Sequence, residues 1–264
     1  MKKLHLIIFA IIALACNACE KVIDLDLKNA EPTIVIEANL TDDYIAQKVK
    51  ITQTKAFTED NTPMPIFNAI VTVKDLTLNK SYTFGTADAE GNYSSEIFKG
   101  IPGNTYELTV QNGNESYIAT STMPKKVLMD SLSVTEISFF GNTQKYVKVN
   151  YSDPSGDENQ YRYLLKVNGL AVKGYFVDSD RFNNGKYISN TLFNDEPELK
   201  SGDEIQVEFQ CVDKNIYRYF FAIAQISGNG GPPTAPANPD SNFNNGALGY
   251  FNAHTSETKM AVIK

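Results

Sequence analysis

The 264-residue sequence contains no tryptophan, two histidines and three cysteines. His5, Cys16 and Cys19 fall within the first twenty residues, so His254 and Cys211 are the sole members of their kinds over the rest of the chain. A multi-histidine metal centre is therefore excluded there, a serine-histidine-acid triad would have to run through His254, and no intramolecular disulfide framework is available. Basic charge is also short. The 24 Lys and Arg stand against 31 Asp and Glu, a balance that argues against nucleic acid and against broad adhesion to anionic membranes. No apolar run reaches the roughly twenty residues of a membrane-spanning helix, and helical periodicity shows in only one stretch.

What is present begins with Lys2 and Lys3, a mostly apolar run over residues 4–15, and small residues leading into Cys16 and Cys19. This is the layout of an export signal, with a positive n-region, a short apolar h-region and a small-residue cut. A cysteine closing such a signal is the acceptor used by bacterial lipoproteins, and several acyl chains on one residue anchor stably where a single chain binds only marginally. Ala15 precedes Cys16 and Ala18 precedes Cys19, so both have the small residue that the cut requires. Cys19 is the preferred lipidation site, because Asn17 ends the apolar run and Glu20-Lys21 opens a polar tether. Cys16 is the alternative, and an ordinary secretory signal with incidental cysteines is another. The expected division is a signal peptide over 1–18 and a lipidated tether with a first strand over 19–29. Loss of Lys2 and Lys3 with the signal brings the net charge to about −9.

The remainder reads as mainly β. Tyr, Phe, Val, Ile and Thr are plentiful, with 14 Tyr and 15 Phe, and Gly, Asn and Asp punctuate them. Alternating segments predict strands over 33–40, 48–54, 69–75, 80–84, 105–110 and 117–122, with a loop over 57–65 and turns at 88–93 and 102–104. Short strands separated by turn residues predict a first β-sandwich over 30–125, of the prealbumin or immunoglobulin type. After Pro124, strands are expected over 128–140, 145–151, 161–167 and 204–212, forming a second, fibronectin-like sandwich over 126–264. Ile205, Val207, Phe209 and Cys211 share one face of the last of these, which makes Cys211 a buried small hydrophobe rather than a reactive thiol. The one helix is expected over 214–227, capped by Asp213, with Ile216, Tyr219, Phe220 and Ile223 at helical spacing and Gly228 after it. Residues 228–239, rich in Gly and Pro, exclude regular structure. A loop over 242–251 and a terminal strand over 258–263 close the chain.

No catalytic residue, cofactor or metal ligand is singled out, and the chain is not read as an enzyme. Asp153-Pro154-Ser155-Gly156-Asp157-Glu158-Asn159 places oxygen atoms at alternate positions, as a calcium loop would. Its glycine is misplaced for an EF-hand, and the twelfth position is Leu164 rather than glutamate. A solvated turn is the expectation, and the same holds for Asp178-Ser179-Asp180 and Asp195-Glu196. His254 is expected to be structural. Carboxylates are numerous, but no pair stands out as a glycosidase would need. Tyr175, Phe176, Phe182, Phe193, Phe243 and Phe251 are candidates for a binding surface, with cover for core edges as the simpler reading of each.

Two resemblances extend this reading. The turn Asp88-x-x-Gly91-x-Tyr93 and the strand Pro102-Gly103-x-x-Tyr106-x-Leu108-x-Val110 resemble carboxypeptidase-regulatory-like and prealbumin-like modules of bacterial surface proteins, which present ligands or act as spacers. Cys19-Glu20-Lys21-Val22-Ile23-Asp24-Leu25-Asp26-Leu27, Asn238-Pro239-x-Ser241-Asn242 and residues 246–251 resemble a family of Bacteroidetes lipoproteins known only as a domain of unknown function. That second resemblance implies lipid on Cys19, an outer-membrane location on either face, and a place beside TonB-dependent receptors that import large nutrients. It carries over no catalytic residue. The expected function is a lipid-anchored binding protein accessory to such a transporter, with the membrane through its lipid and a TonB-dependent barrel as partners. A structural or adhesive surface module is the alternative, and an exported carboxylate-dependent hydrolase a third.

Overall fold

The computed structural model describes residues 31–55, 62–227 and 238–264. The expected signal, the lipidation site Cys19 and the tether fall outside the described residues, as do positions 57–61 of the expected loop, Gly228 and most of the Gly/Pro stretch.

The first half of the chain forms β1 (Ile34–Thr41), β2 (Ile45–Gln53), β3 (Met64–Pro65), β4 (Ile70–Asp75), β5 (Lys80–Thr83), β6 (Asn92–Phe98), β7 (Thr105–Asn112) and β8 (Glu115–Thr122). The second half forms β9 (Met129–Phe139), β10 (Asn142–Ser152), β11 (Gln160–Val167), β12 (Leu170–Ala171), β13 (Phe176–Ser179), β14 (Tyr187–Leu192) and β15 (Glu204–Val212). The helix α1 (Lys214–Ile226) and the long strand β16 (Leu248–Val262) follow. Among the described residues the chain is thus mainly β with one α-helix near its C-terminus, as its composition implies.

One nine-stranded sheet runs through the molecule in the order β12-β11-β15-β16-β1-β2-β3, with β13 on β11 and β6 on β2. Two smaller sheets, β5-β4-β7-β8 and β14-β10-β9, lie against its two halves. Between the large sheet and the four-stranded one sit Ile36, Ile51, Tyr93, Leu108, Val110 and Phe251. Between it and the three-stranded one sit Val147, Tyr151, Tyr163, Leu165, Val207 and Phe209. Period-two alternation produces both cores: Ile34, Ile36, Ala38 and Leu40 of β1 point inward, as do Ile205, Val207, Phe209 and Cys211 of β15.

The strand β16 joins the two halves. Residues 248–254 pair in parallel with β1, and residues 255–262 pair antiparallel with β15. Phe251 and Ala253 therefore enter the first core, while Ala261 packs against the second and Ile263 just beyond the strand lies within it. The sequence alone predicts a loop over 242–251 and groups this whole segment with the second half. In the fold the strand starts at Leu248, and its strand character is masked in the sequence because Asn252, His254 and Thr255 are all buried, so no polar-apolar alternation is visible. The approach to it is also built in: Asn242 donates to the Phe251 carbonyl (2.8 Å) and accepts from the Phe251 amide (2.9 Å). Asn244 Oδ1 accepts from the Ile118 amide on the edge of β8 (2.7 Å).

Four strands lie where the sequence showed none, namely β6, β12, β13 and β14. Met64–Pro65, expected within a loop, pairs with β2. Asp213 caps α1 by accepting from the amides of Asn215 and Ile216, which satisfies two of the orphan donors of the first turn. The apolar stripe of α1, with Ile216 and Phe220, packs with Val212 and Tyr250 on the outer face of the large sheet.

Candidate functional site

The packing of α1 against the second half creates a cleft. Its walls are Tyr175 and Phe176 at the start of β13, Asn190 and Leu192 of β14 with Phe193 just beyond, and Phe221 and Gln225 of α1. The cavity is about 160 Å³. Tyr175, Phe193 and Phe221 remain 39%, 53% and 44% exposed, yet each is backed by a second ring. Tyr175 stacks on Phe220 at 6.1 Å, Phe193 meets Tyr146 at 5.1 Å, and Phe221 stacks on Tyr217 at 5.7 Å. Rings held this way present apolar area at little conformational cost. Beneath them Arg162 lies 3.7 Å over the Phe220 ring, bonds Gln210 Oε1 (3.4 Å), and reaches Glu208 through the Gln210 amide (2.7 Å). Burial lowers the pKa of this guanidinium. Its cation-π contact and polar relay fix the helix on the sheet.

A second depression is lined by residues next in sequence to two segments of the first. Lys173 lines it where Tyr175 lines the cleft, and Asp195 lines it where Phe193 lines the cleft. This groove, about 790 Å³, runs between the β11–β12 hairpin and residues 195–203. It is lined by the apolar Val167, Leu170 and Val172 and by the charged Asp195, Glu196, Glu198, Lys173 and Lys200. This lining is held in place by Asp203, which accepts from the Asn168 side chain (2.9 Å) and the Lys200 amide (2.7 Å). Those two bonds keep the Asp203 carboxyl below the usual carboxylate range. A volume of several hundred cubic ångströms lined by apolar side chains and a few polar groups is the form of a small-ligand site.

The sequence candidates separate in the structure. Tyr175, Phe176 and Phe193 come together in the cleft, whereas Phe243 and Phe251 belong to the first core and Phe182 stands exposed elsewhere. Asp195 and Glu196 are exposed groove residues. Asp153 and Asp180, expected in solvated turns, are buried, because their loops close on one another and on the end of the second core. Cys211 is buried, its Sγ accepting from the Val127 amide (3.3 Å), and burial raises its pKa. His254 is fully enclosed, with Nδ1 3.4 Å from the Asn252 carbonyl and Nε2 without a partner, and burial lowers its pKa to about 4. It is a neutral ring inside the sheet junction, far from serving a cleft. Phe221, Gln225 and Arg162 were not singled out by the sequence. The one available signal was the helical spacing that puts Phe221 and Gln225 four residues apart.

Among the described residues, no three or more His, Cys, Asp or Glu side chains are grouped to hold a metal ion, and no helix is long and apolar enough to cross a membrane. A family model described as Domain of unknown function (DUF4249) matches residues 20–260. No curated protein matches the chain.

Proposed function

The chain belongs to the DUF4249 family, a domain of unknown function, and from that premise we propose that it is a lipid-anchored binding protein of the bacterial outer membrane, accessory to a TonB-dependent nutrient transporter. The observation that carries the binding role is the cleft, where three exposed, ring-backed aromatics line a cavity of about 160 Å³, with a groove of about 790 Å³ lined by neighbouring residues of the same chain segments. Exposed rings that are also held rigid favour recognition, since little side-chain entropy is lost when a partner covers them. The anchoring part of the reading rests on the sequence alone: Lys2-Lys3, the apolar run and Cys19. The acidic balance suits a ligand or partner other than nucleic acid.

The test is a pull-down of the tagged full-length chain from detergent-solubilised outer membrane, followed by mass spectrometry. A stoichiometric TonB-dependent barrel is the expected companion, lost in Cys19→Ala because the unlipidated chain leaves the membrane. In a second arm, the double substitution Phe193→Ala and Phe221→Ala keeps lipidation and shifts the thermal midpoint by only a few degrees, since each ring is about half exposed. It is expected to abolish capture of the transporter or of its nutrient. Retention of both by the double variant would remove the cleft from the function. Absence of any barrel, with attachment to other cells or to matrix, would replace the reading with an adhesive one.

A further inference from the structure

Two acidic loops that are distant in sequence interlock at one end of the second core. The Asp153 amide donates to the Lys186 carbonyl (2.9 Å), the Gly185 amide to Asp153 Oδ2 (2.8 Å), and the Gly156 amide to Asn184 Oδ1 (3.1 Å). On the other side the Asp180 amide donates to the Asn159 carbonyl (3.0 Å). The Tyr161 hydroxyl takes the remaining oxygen of Asp153. This knitting buries Asp153 and leaves Asp180 only 3% exposed. Burial, with Asp180 and Asp153 nearby, raises the carboxyl pKa of Asp178, and burial, with Asp153 and Glu158 nearby, raises that of Asp180.

Within this enclosure two oxygens lack any donor, Asp180 Oδ2 and Asn159 Oδ1. Both oxygens of Asp153, by contrast, have named donors. The nearby cations are committed elsewhere: Lys214 pairs with Glu158 at 2.8 Å, and Arg181 lies over the Phe182 ring. An acceptor buried without a donor costs about 1–3 kcal/mol, and more when charged. Two of them beside further carboxylates concentrate hard oxygen acceptors at one point of the fold.

We propose that the interlock is a binding site for a divalent cation of the calcium class, with Asp180 Oδ2 and Asn159 Oδ1 as side-chain ligands and Asp153 and Asp178 supplying negative field. The donor set is all oxygen, which selects calcium or magnesium over zinc. Two preformed loops of irregular geometry fit calcium's flexible coordination better than the strict octahedron of magnesium. Because no three carboxylates converge, backbone carbonyls and water must complete the shell. Such a low ligand charge gives the affinity of extracellular modules, about 10⁻⁴–10⁻³ M. The site is separate from the aromatic cleft and does not depend on the binding role proposed for it.

The experiment uses the full-length chain in detergent, stripped with EDTA and melted with increasing CaCl₂ or MgCl₂. At 10 mM calcium the midpoint is expected to rise by about 3 °C or more, as ligand linkage requires for a millimolar site, with a smaller rise for magnesium. Asp180→Asn is isosteric and removes a buried charge, so it folds, and it is expected to lose the calcium response. Asn159→Ala is a second, independent loss, while Asp195→Asn in the groove keeps the response. No calcium-dependent rise in the native chain, or an equal rise in Asp180→Asn, overturns the proposal. A midpoint in EDTA that is higher in Asp180→Asn, with no calcium effect in the native chain, would mean that a proton satisfies these oxygens.

Discussion

His254 shows what a single enclosed side chain does to the whole. Its ring lies inside the sheet junction, 1% exposed, and burial holds its pKa at about 4 against an ordinary value of 6.5. The unfolded chain therefore takes up a proton on this residue at a higher pH than the folded chain does. Stability from the neutral ring is complete above about pH 6.5, declines as the pH falls, and is fully lost below about pH 4. The span corresponds to about 3 kcal/mol at most. Urea unfolding at pH 7.5 and pH 4.5 checks this: His254→Gln should be destabilised at the higher pH through imperfect packing, yet lose about 2 kcal/mol less than the native chain on acidification. An equal acid loss in both would assign the pH dependence to the carboxylates instead.

At the scale of elements, the least legible part of the sequence is the part that does most to organise the fold. The helix was readable because Asp213 stands before an apolar stripe at helical spacing, and β15 because it alternates strictly. The start of β16 was not, since its buried face carries Asn252 and His254 where alternation would demand apolar residues. The aromatic cleft was half legible. Tyr175, Phe176 and Phe193 were named from the sequence, but nothing local separates them from Phe243 and Phe251, whose burial depends on strands more than a hundred residues away. Likewise the meeting of the two acidic loops is tertiary and leaves no local trace. Gly249 gives the parallel pairing of β16 and β1 a sharp test. Its φ is +93°, and an added Cβ would lie 2.1 Å from the Ile36 carbonyl oxygen, a backbone atom that cannot move without breaking the sheet. Gly249→Ala is expected to cost about 3–5 kcal/mol by urea unfolding. Gly246→Ala, also at positive φ (+71°) but with nothing within 4 Å, should cost only about 1–2 kcal/mol. Equal costs would mean that close approach to β1 contributes nothing.

For the molecule as a whole, two cores joined by a flexible linker would be expected to unfold separately. Here the join is a strand whose first part has seven register pairs with β1 and whose second has eight with β15. Further contacts cross the same boundary: Asp42 holds Lys126 (2.8 Å) and the Ser256 amide (3.0 Å), and Ser121 donates to Asp213 at the helix cap (2.5 Å). Unfolding either half removes one partner strand from β16 and leaves its buried polar groups, including Asn252 and Thr255, exposed on a broken edge. The cost of that boundary is carried by both halves, so neither gains from unfolding alone. Calorimetry is therefore expected to show one transition with equal calorimetric and van't Hoff enthalpies. Phe251→Ala in the first core and Phe209→Ala in the second should each lower that common midpoint, at about 3–5 kcal/mol per truncated ring. If Phe209→Ala instead splits the trace and leaves a late transition at the native midpoint, the first half stands without its neighbour and β16 is a tether rather than a coupling element.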